Sequence, residues 1–425
     1  MMLKFLLKGI LRDKHRSLFP IIIVSIGVAI SVLMYTYILG FIDDLTRTNA
    51  VYDTGHIKIT TRAYEEHSDQ IPNDLALTNT DSLLNSLENM YPEVEWTPRT
   101  KFAGLLDIPD EQGETKAQTS VNGIAMDLLG EESNEKQRFN LEKALQKGHL
   151  PDEPGEILIP TSIAEKLNVN IGDAATLISS SARGGMAIHN FSIAGTVKFG
   201  VNFLDRNTII ADIEDIRYAL NMGTGTGEIL GYFENRLYRS RKAKEIRDQF
   251  NKNYSNTDDK YSPIMLTLED QNNLEELLRI SKLELYVIIG VFLFVISLVL
   301  WNSGLISGIR RYGEIGVRIA IGESKFRVYK EMLLESVIIG LIGSVVGTVI
   351  GLSASYYLQE VGLNLTGMME ESNFLMSTVL RAKVTTEAYF IGIIPGLLAT
   401  VLGKAIAGIG ILKRETSQLF RELET

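Results

Sequence analysis

Side chains able to do chemistry are common in this chain, but few are spaced for it. The five histidines, His15, His56, His67, His149 and His189, lack the spacing that would bring two imidazoles onto one metal ion, and the chain has no cysteine to supply a thiolate ligand or nucleophile. No metal site is expected. The run Gly223-Thr224-Gly225-Thr226-Gly227 lacks the lysine and following helix of a phosphate-cradling G-x-x-x-x-G-K-S/T loop, and reads as a flexible loop. A G-x-S-x-G nucleophile elbow is also missing. Nothing here supports covalent, metal-assisted or ATP-hydrolysing chemistry, and no cofactor is expected on the chain itself.

One segment does have purposeful spacing. Over residues 310–324, Glu314 and Arg318 form an i,i+4 pair in the favourable order, Ile315, Val317 and Ile319 supply an apolar side, and Gly322 ends the helix. A short amphipathic helix of this kind suits a groove on a partner protein, or serves as an interfacial connector. Gly343, Gly347 and Gly351 recur four apart with Ser344 and Thr348 beside them, a stripe that lets another helix approach closely. Lys404 is a charge inside an apolar run, either functional or snorkelling to the interface, and Pro395 in the same run predicts a kink.

Four apolar runs position these residues. The stretches 20–42, 285–309 and 336–359 carry no charge, and 388–412 is interrupted only by Lys404. Each is long enough to cross roughly 30 Å of hydrocarbon as a helix. With 45% hydrophobic and 22% charged residues, the mean hydropathy of +0.08 averages unlike parts. A soluble enzyme, a nucleic-acid binder and a bundle made only of membrane helices are excluded. The first run is too long for a signal-peptide core and reads as an uncleaved anchor. Lys4, Lys8, Arg12, Lys14 and Arg16 precede it, and Arg310, Arg311, Arg318, Lys325, Arg327 and Lys330 lie between the second and third runs. The positive-inside rule then puts both termini and that link in the cytosol, and residues 43–282 outside. The cytosolic pieces tally to about +7, so the remainder carries about −17 to reach the chain's net −10.

The expected organisation is a cytosolic amphipathic helix over 1–19, which either lies flat or extends the first span, then spans over 20–42, 283–309, 331–359 and 388–412. A cytosolic link occupies 310–330, an external loop 360–387 and a cytosolic tail 413–425. The external domain reads as mixed α and β. Strand–helix–strand units are expected at 43–106, with a helix near 81–90, and at 208–282, with strands at 228–233 and 262–268 around a helix at 240–253. A strand-rich insertion at 107–207 separates them and holds a hairpin with a long tip over 179–190.

The run Glu-Ile-Gly-Val-Arg-Ile-Ala-Ile-Gly at 314–322, the Leu-Leu-Glu-Ser at 333–336 and the glycine-rich third span resemble the permease signature shared by MacB, LolC, LolE and FtsX. The Gly-His-Ile-Lys-Ile strand at 55–59, the Asn-Ile-Gly-Asp turn at 170–173 and the stretch 205–220 match as well. The resemblance implies an α+β membrane protein, four transmembrane helices with a large mixed α/β extracytoplasmic domain between the first two. It implies the permease subunit of a mechanotransmission-type ABC transporter in the bacterial inner membrane. That subunit would pair with a second permease copy or paralogue and with an ATPase dimer carrying the ATP and Mg. Arg311, Glu314, Ile315, Gly316, Arg318, Ile319 and Gly322 would receive the ATPase stroke. The tip at Arg183, Gly184, Gly185 and Met186 sits where LolC-like permeases grip a periplasmic acceptor, while the link is closer to MacB. The tail departs from the usual Pro-x-x-x-Leu-Arg ending. The leading reading is extraction of lipoproteins from the outer leaflet, with export of peptides or small amphiphiles, or activation of a cell-wall hydrolase, as alternatives. Met34, Tyr37, Ile38 and Phe41 facing Val287, Val291 and Val295 would line an apolar cargo cavity, or simply face lipid.

Overall fold

The computed structural model describes residues 14–413 except 132, 235–236, 255–258, 311–316, 320, 366 and 368–374. The part of the expected N-terminal helix at 1–13 and the tail from 414 lie outside the described residues. Helices of seven residues or more are α1 (Lys14–Asn49), α2 (Thr80–Met90), α3 (Thr161–Leu167), α4 (Ile213–Ala219), α5 (Ser240–Asn253), α6 (Leu274–Arg310), α7 (Lys325–Glu360) and α8 (Ile393–Lys413). Of these, α1, α6, α7 and α8 are long and apolar enough to cross a membrane. The chain divides into two compact units. One holds Met1–Asp43, Leu278–Leu363 and Leu380–Thr425; the other holds Asp44–Leu277 and Asn364–Val379.

In the helical unit, small residues decide which helices meet. A Cβ added at Gly343 would stand 2.8 Å from Val24 Cβ, one at Gly347 2.5 Å from the Ser25 carbonyl oxygen, and one at Gly351 2.8 Å from that of Ala29. The glycine stripe of α7 therefore packs on α1 of the same chain, where contact is van der Waals and backbone-close. Ser25 Oγ donates to the Gly343 carbonyl at 3.1 Å, and the Thr36 and Ser355 hydroxyls meet at 2.8 Å. Pro395 does not kink a span as expected. It lies in the first turn of α8, where a missing N–H breaks no helical hydrogen bond.

The other unit is built on one sheet. Its strands are β1 (Ile57–Thr61), β2 (Val94–Pro109), β3 (Thr115–Met126), β4 (Leu145–Gly148), β5 (Glu156–Pro160), β6 (Ala174–Ser180), β7 (Met186–Val197), β8 (Thr208–Asp212), β9 (Glu228–Phe233) and β10 (Pro263–Thr267). They run in the order β10-β1-β9-β2-β3-β8-β5-β7-β4, with β6 pairing β2 and β7. The two strand–helix–strand units interleave rather than lie side by side. Strand β1 sits between β10 and β9, and β9 lies against β2, all antiparallel, which is a ferredoxin-like arrangement. Ile57, Ile59, Trp96, Ile229 and Met265 face Leu87 of α2 and Ile246 and Phe250 of α5.

The expected boundary near residue 106 falls inside a single 16-residue strand. β2 pairs β9 over 94–99, β3 over 99–109 and β6 over 104–107, so the inserted part is an outgrowth of the same sheet. Its core gathers Phe102, Leu106, Ile157, Ile159, Leu177, Phe191, Ile193 and Ile209. The long hairpin tip is also corrected. β6 and β7 pair out to Ser180↔Met186, leaving only residues 181–185 as the turn, because 186–190 continue the ladder.

Candidate functional site

The polar face of the ferredoxin-like sheet lies opposite its helices. Alternation along β1, β2 and β9 puts Lys58, Arg99, Glu228 and Tyr232 on this side, and all are buried. They meet the five-residue π-helical turn Ala50–Thr54 that ends α1. Arg99 Nη1 donates to the Val51 carbonyl at 2.9 Å, and the Tyr232 hydroxyl donates to that of Ala50 at 3.0 Å. These side chains satisfy carbonyls that a helix end leaves without partners. Lys101 pairs with Asp53 and, at 3.1 Å, with Glu228, which Lys58 approaches at 3.5 Å. Burial alone would lower the Lys101 ammonium, but the Asp53 and Glu228 carboxylates outweigh it and raise the pKa. Arg99 also meets Glu135 at 2.6 Å with both side chains fully buried, Glu135 pairs with Arg138, and Arg138 stacks over Tyr232 at 3.9 Å. The turn that ends α1 is thus held by charge-assisted contacts from Arg99 and Lys101 of β2 and by the Tyr232 hydroxyl of β9.

The segment that follows α7 contributes to the same unit. Ser377 donates through its N–H and Oγ to Asp44 at 3.0 and 2.6 Å, Asn49 Nδ2 donates to the Leu375 carbonyl at 3.2 Å, and Thr378 N–H donates to the Gly200 carbonyl at 2.8 Å. Residues 375–378 of the expected external loop are therefore docked on this unit.

In the helical unit, the link between α6 and α7 is described from Val317, except for residue 320. Arg311, Glu314, Ile315 and Gly316 lie outside the described residues. Arg318 pairs with Glu331 at 3.0 Å, and Ile319 is half-buried. Gly322, at φ +103°, closes the turn in a conformation that disfavours a side chain, with Glu323 N–H donating to the Arg318 carbonyl. Ser324 caps α7, which begins six residues before the Glu331 expected from the apolar run because its first two turns are amphipathic. Val317, Phe326 and Ile321, the last 81% exposed, leave an apolar strip uncovered beside Arg318.

Residues 286–416, which contain this link, match the model of the FtsX-like permease C-terminal family. The chain is thus similar to that family over less than half of its length. It is 21% identical over 259 residues to a lipoprotein-releasing system transmembrane protein LolC of Xylella fastidiosa, covering 59% of each chain. It is 33% identical over 75 residues to a macrolide export ATP-binding/permease protein MacB of Wolinella succinogenes, covering 18% of this chain and 12% of that one. In each case the chain spans less than two thirds of the relative's length. Among solved structures it is similar to the periplasmic region of MacB from Actinobacillus actinomycetemcomitans, with TM-score 0.35 and 14% identity, covering 53% of this chain and 97% of that one.

In the helical unit, the expected cargo-lining residues do not face one another. Met34, Tyr37, Ile38 and Phe41 are half-buried on α1, but Val287, Val291 and Val295 are 63%, 55% and 48% exposed. At 100° per residue they fall on the opposite side of α6 from Leu285, Ile296 and Leu300, and Ile296 fills the space above Gly27. The expected tip residues Arg183, Gly184 and Gly185 in the β6–β7 turn and Met186 at the start of β7 are all exposed, and Ala182 N–H ties the turn to the Leu220 carbonyl. Sequence reading missed the Arg99–Glu135 network and the docked segment, since neither has a local signal. It also missed that His149 lies 3.7 Å from Asp152 and 3.6 Å from Glu156 in an exposed turn. The other Glu156 oxygen accepts the Asp152 and Glu153 N–H groups, so the cluster closes its own loop.

Proposed function

We propose that this chain is the permease subunit of an ABC transporter, driven by a separate ATPase dimer that carries ATP and Mg. In this reading it draws lipoproteins from the outer leaflet of the bacterial inner membrane and hands them to a periplasmic acceptor. The observation that carries the coupling is the exposed apolar strip Val317, Ile321 and Phe326 beside a clamped Arg318, within the permease-matched region. A short helix with an uncovered apolar face suits a groove on a cytosolic protein. The lysine and arginine bias supports cytosolic termini and a periplasmic sheet domain.

The similarity to LolC supports a lipid-anchored cargo. Moving acyl chains through water costs about 0.8 kcal/mol per CH₂, which calls for a shielded path and an energy source. The outward row Val287, Val291 and Val295 supports a cavity completed by a second permease copy or paralogue rather than within one chain. Arg183 to Met186 at the turn would contact the acceptor. The match to MacB favours a second reading, export of small amphiphiles. Mild-detergent purification from native membranes with mass spectrometry separates the two. A co-purifying ATPase with triacylated lipoproteins is expected; an adaptor or hydrolase without lipoprotein would overturn the extraction reading. Ile321→Glu, at an exposed position, is expected to leave folding unchanged and to abolish ATP-dependent function. Full activity in that variant would remove the coupling role.

A further inference from the structure

The sheet-bearing unit contains a partly open cavity of about 460 Å³, bordered by the end of α1, the start of α6 and strands β2, β3 and β8. This volume falls in the range of small-molecule sites, roughly 300–1,000 Å³. One wall is apolar, formed by Leu45, Phe203, Leu204, Leu274, Leu277 and Leu375. The opposite character comes from Asp53, Lys101, Asp69, Asn122 and Thr208. Asp53 and Lys101 pair with one another, and Asn272 also donates to Asp53, so this pair presents no net charge to an occupant. Asp69 is exposed and has no ion-pair partner among the described residues, so it sets the sign of the site. Thr208 is 1% exposed, and its Oγ has no hydrogen-bond partner. A buried hydroxyl in that state is costly and rare in folded proteins, unless something outside the chain completes it. Asn122 is its register partner across β3 and β8, placing an amide beside the unsatisfied hydroxyl.

We infer that this cavity binds a single-chain amphiphile with a cationic head. Its chain lies against the leucines and Phe203, its ammonium group pairs with Asp69, and a polar atom next to the head reaches Thr208 and Asn122. An anionic head would meet the unpaired Asp69 carboxylate and is disfavoured.

The test uses the full chain in nanodiscs of zwitterionic lipid, dialysed to equilibrium against radiolabelled dodecyltrimethylammonium, with empty discs subtracted. Saturable uptake of about one probe per chain is expected. Asp69→Asn, at an exposed position, is expected to weaken binding about tenfold. Leu277→Trp, which fills a half-buried part of the wall, is expected to abolish it; unchanged circular dichroism would show that both variants fold. Uptake no greater than in empty discs would overturn the site. Competition by dodecyl sulfate as strong as by unlabelled cation would overturn the charge assignment, as would wild-type affinity in Asp69→Asn.

Discussion

His56 gives the sheet domain a built-in sensitivity to acid whose size follows from its surroundings. The ring is 3% exposed, stacked on Phe233 with Tyr232 and Tyr238 around it, and its Nδ1 accepts the Phe233 N–H at 3.0 Å. A proton on Nδ1 would break that bond. Burial first, and then the Arg138 guanidinium, hold the imidazole down to about 4 from its ordinary 6.5. Because the folded pKa is depressed, the unfolded chain takes up the proton first as pH falls. The stabilisation is whole above about pH 6.5 and is lost progressively towards pH 4. Between pH 7.5 and 4.5 the loss from this one group is about 2.5 kcal/mol. Urea unfolding of the full chain in micelles measures it, followed by fluorescence of the core Trp96 in a Trp301→Phe background, since the chain has two tryptophans. His56→Asn is expected to be less stable than the parent at pH 7.5, and the gap is expected to narrow by about 2.5 kcal/mol at pH 4.5. A gap of equal size at both pH values would refute the argument.

Glu135→Ala leaves Arg99 and Arg138 without their buried carboxylate and is expected to cost about 3–5 kcal/mol by urea midpoint, most of it recovered in Arg99→Met/Glu135→Leu. Gly347→Ala puts a methyl 2.5 Å from the Ser25 carbonyl oxygen and is expected to destabilise the helical unit by about 1–3 kcal/mol. Gly290→Ala, with open space around it, is expected to be neutral or slightly stabilising in the same thermal melt. Asp44→Ala removes both acceptors of Ser377 and is expected to speed amide exchange at Ser377 and Thr378 while leaving the β1–β9 ladder protected.

Local periodicity made part of this architecture legible. The strand at Glu228–Phe233 and the helix at Ser240–Asn253 stand where alternation and amphipathic spacing put them. The four apolar runs correspond to the four long helices, because a stretch of that length and composition has few other structures open to it. What failed was non-local or locally ambiguous. Residues 186–190 read as a tip because they follow the serine- and glycine-rich run 179–185, yet cross-strand pairing with β6 makes them a ladder. The α7 glycines announced close packing, but only the fold shows that Val24, Ser25 and Ala29 receive them. The polar face was hidden for the same reason. Arg99 meets Glu135 across 36 positions and Tyr232 across 133, distances over which no spacing rule operates.

The pairing of β1 with β10 has a topological consequence. Ile57 and Thr267 are register partners, so the backbone enters and leaves the sheet domain on adjacent strands, roughly 5 Å apart. The more than two hundred residues between them make up most of a lobe on this two-strand neck, to which Asn364–Val379 is added from later in the chain. A short turn could bridge that neck, and a foreign domain with equally close ends could be spliced into it. The lobe is a cassette: the neck fixes where it joins the chain, and leaves its contents free to diverge.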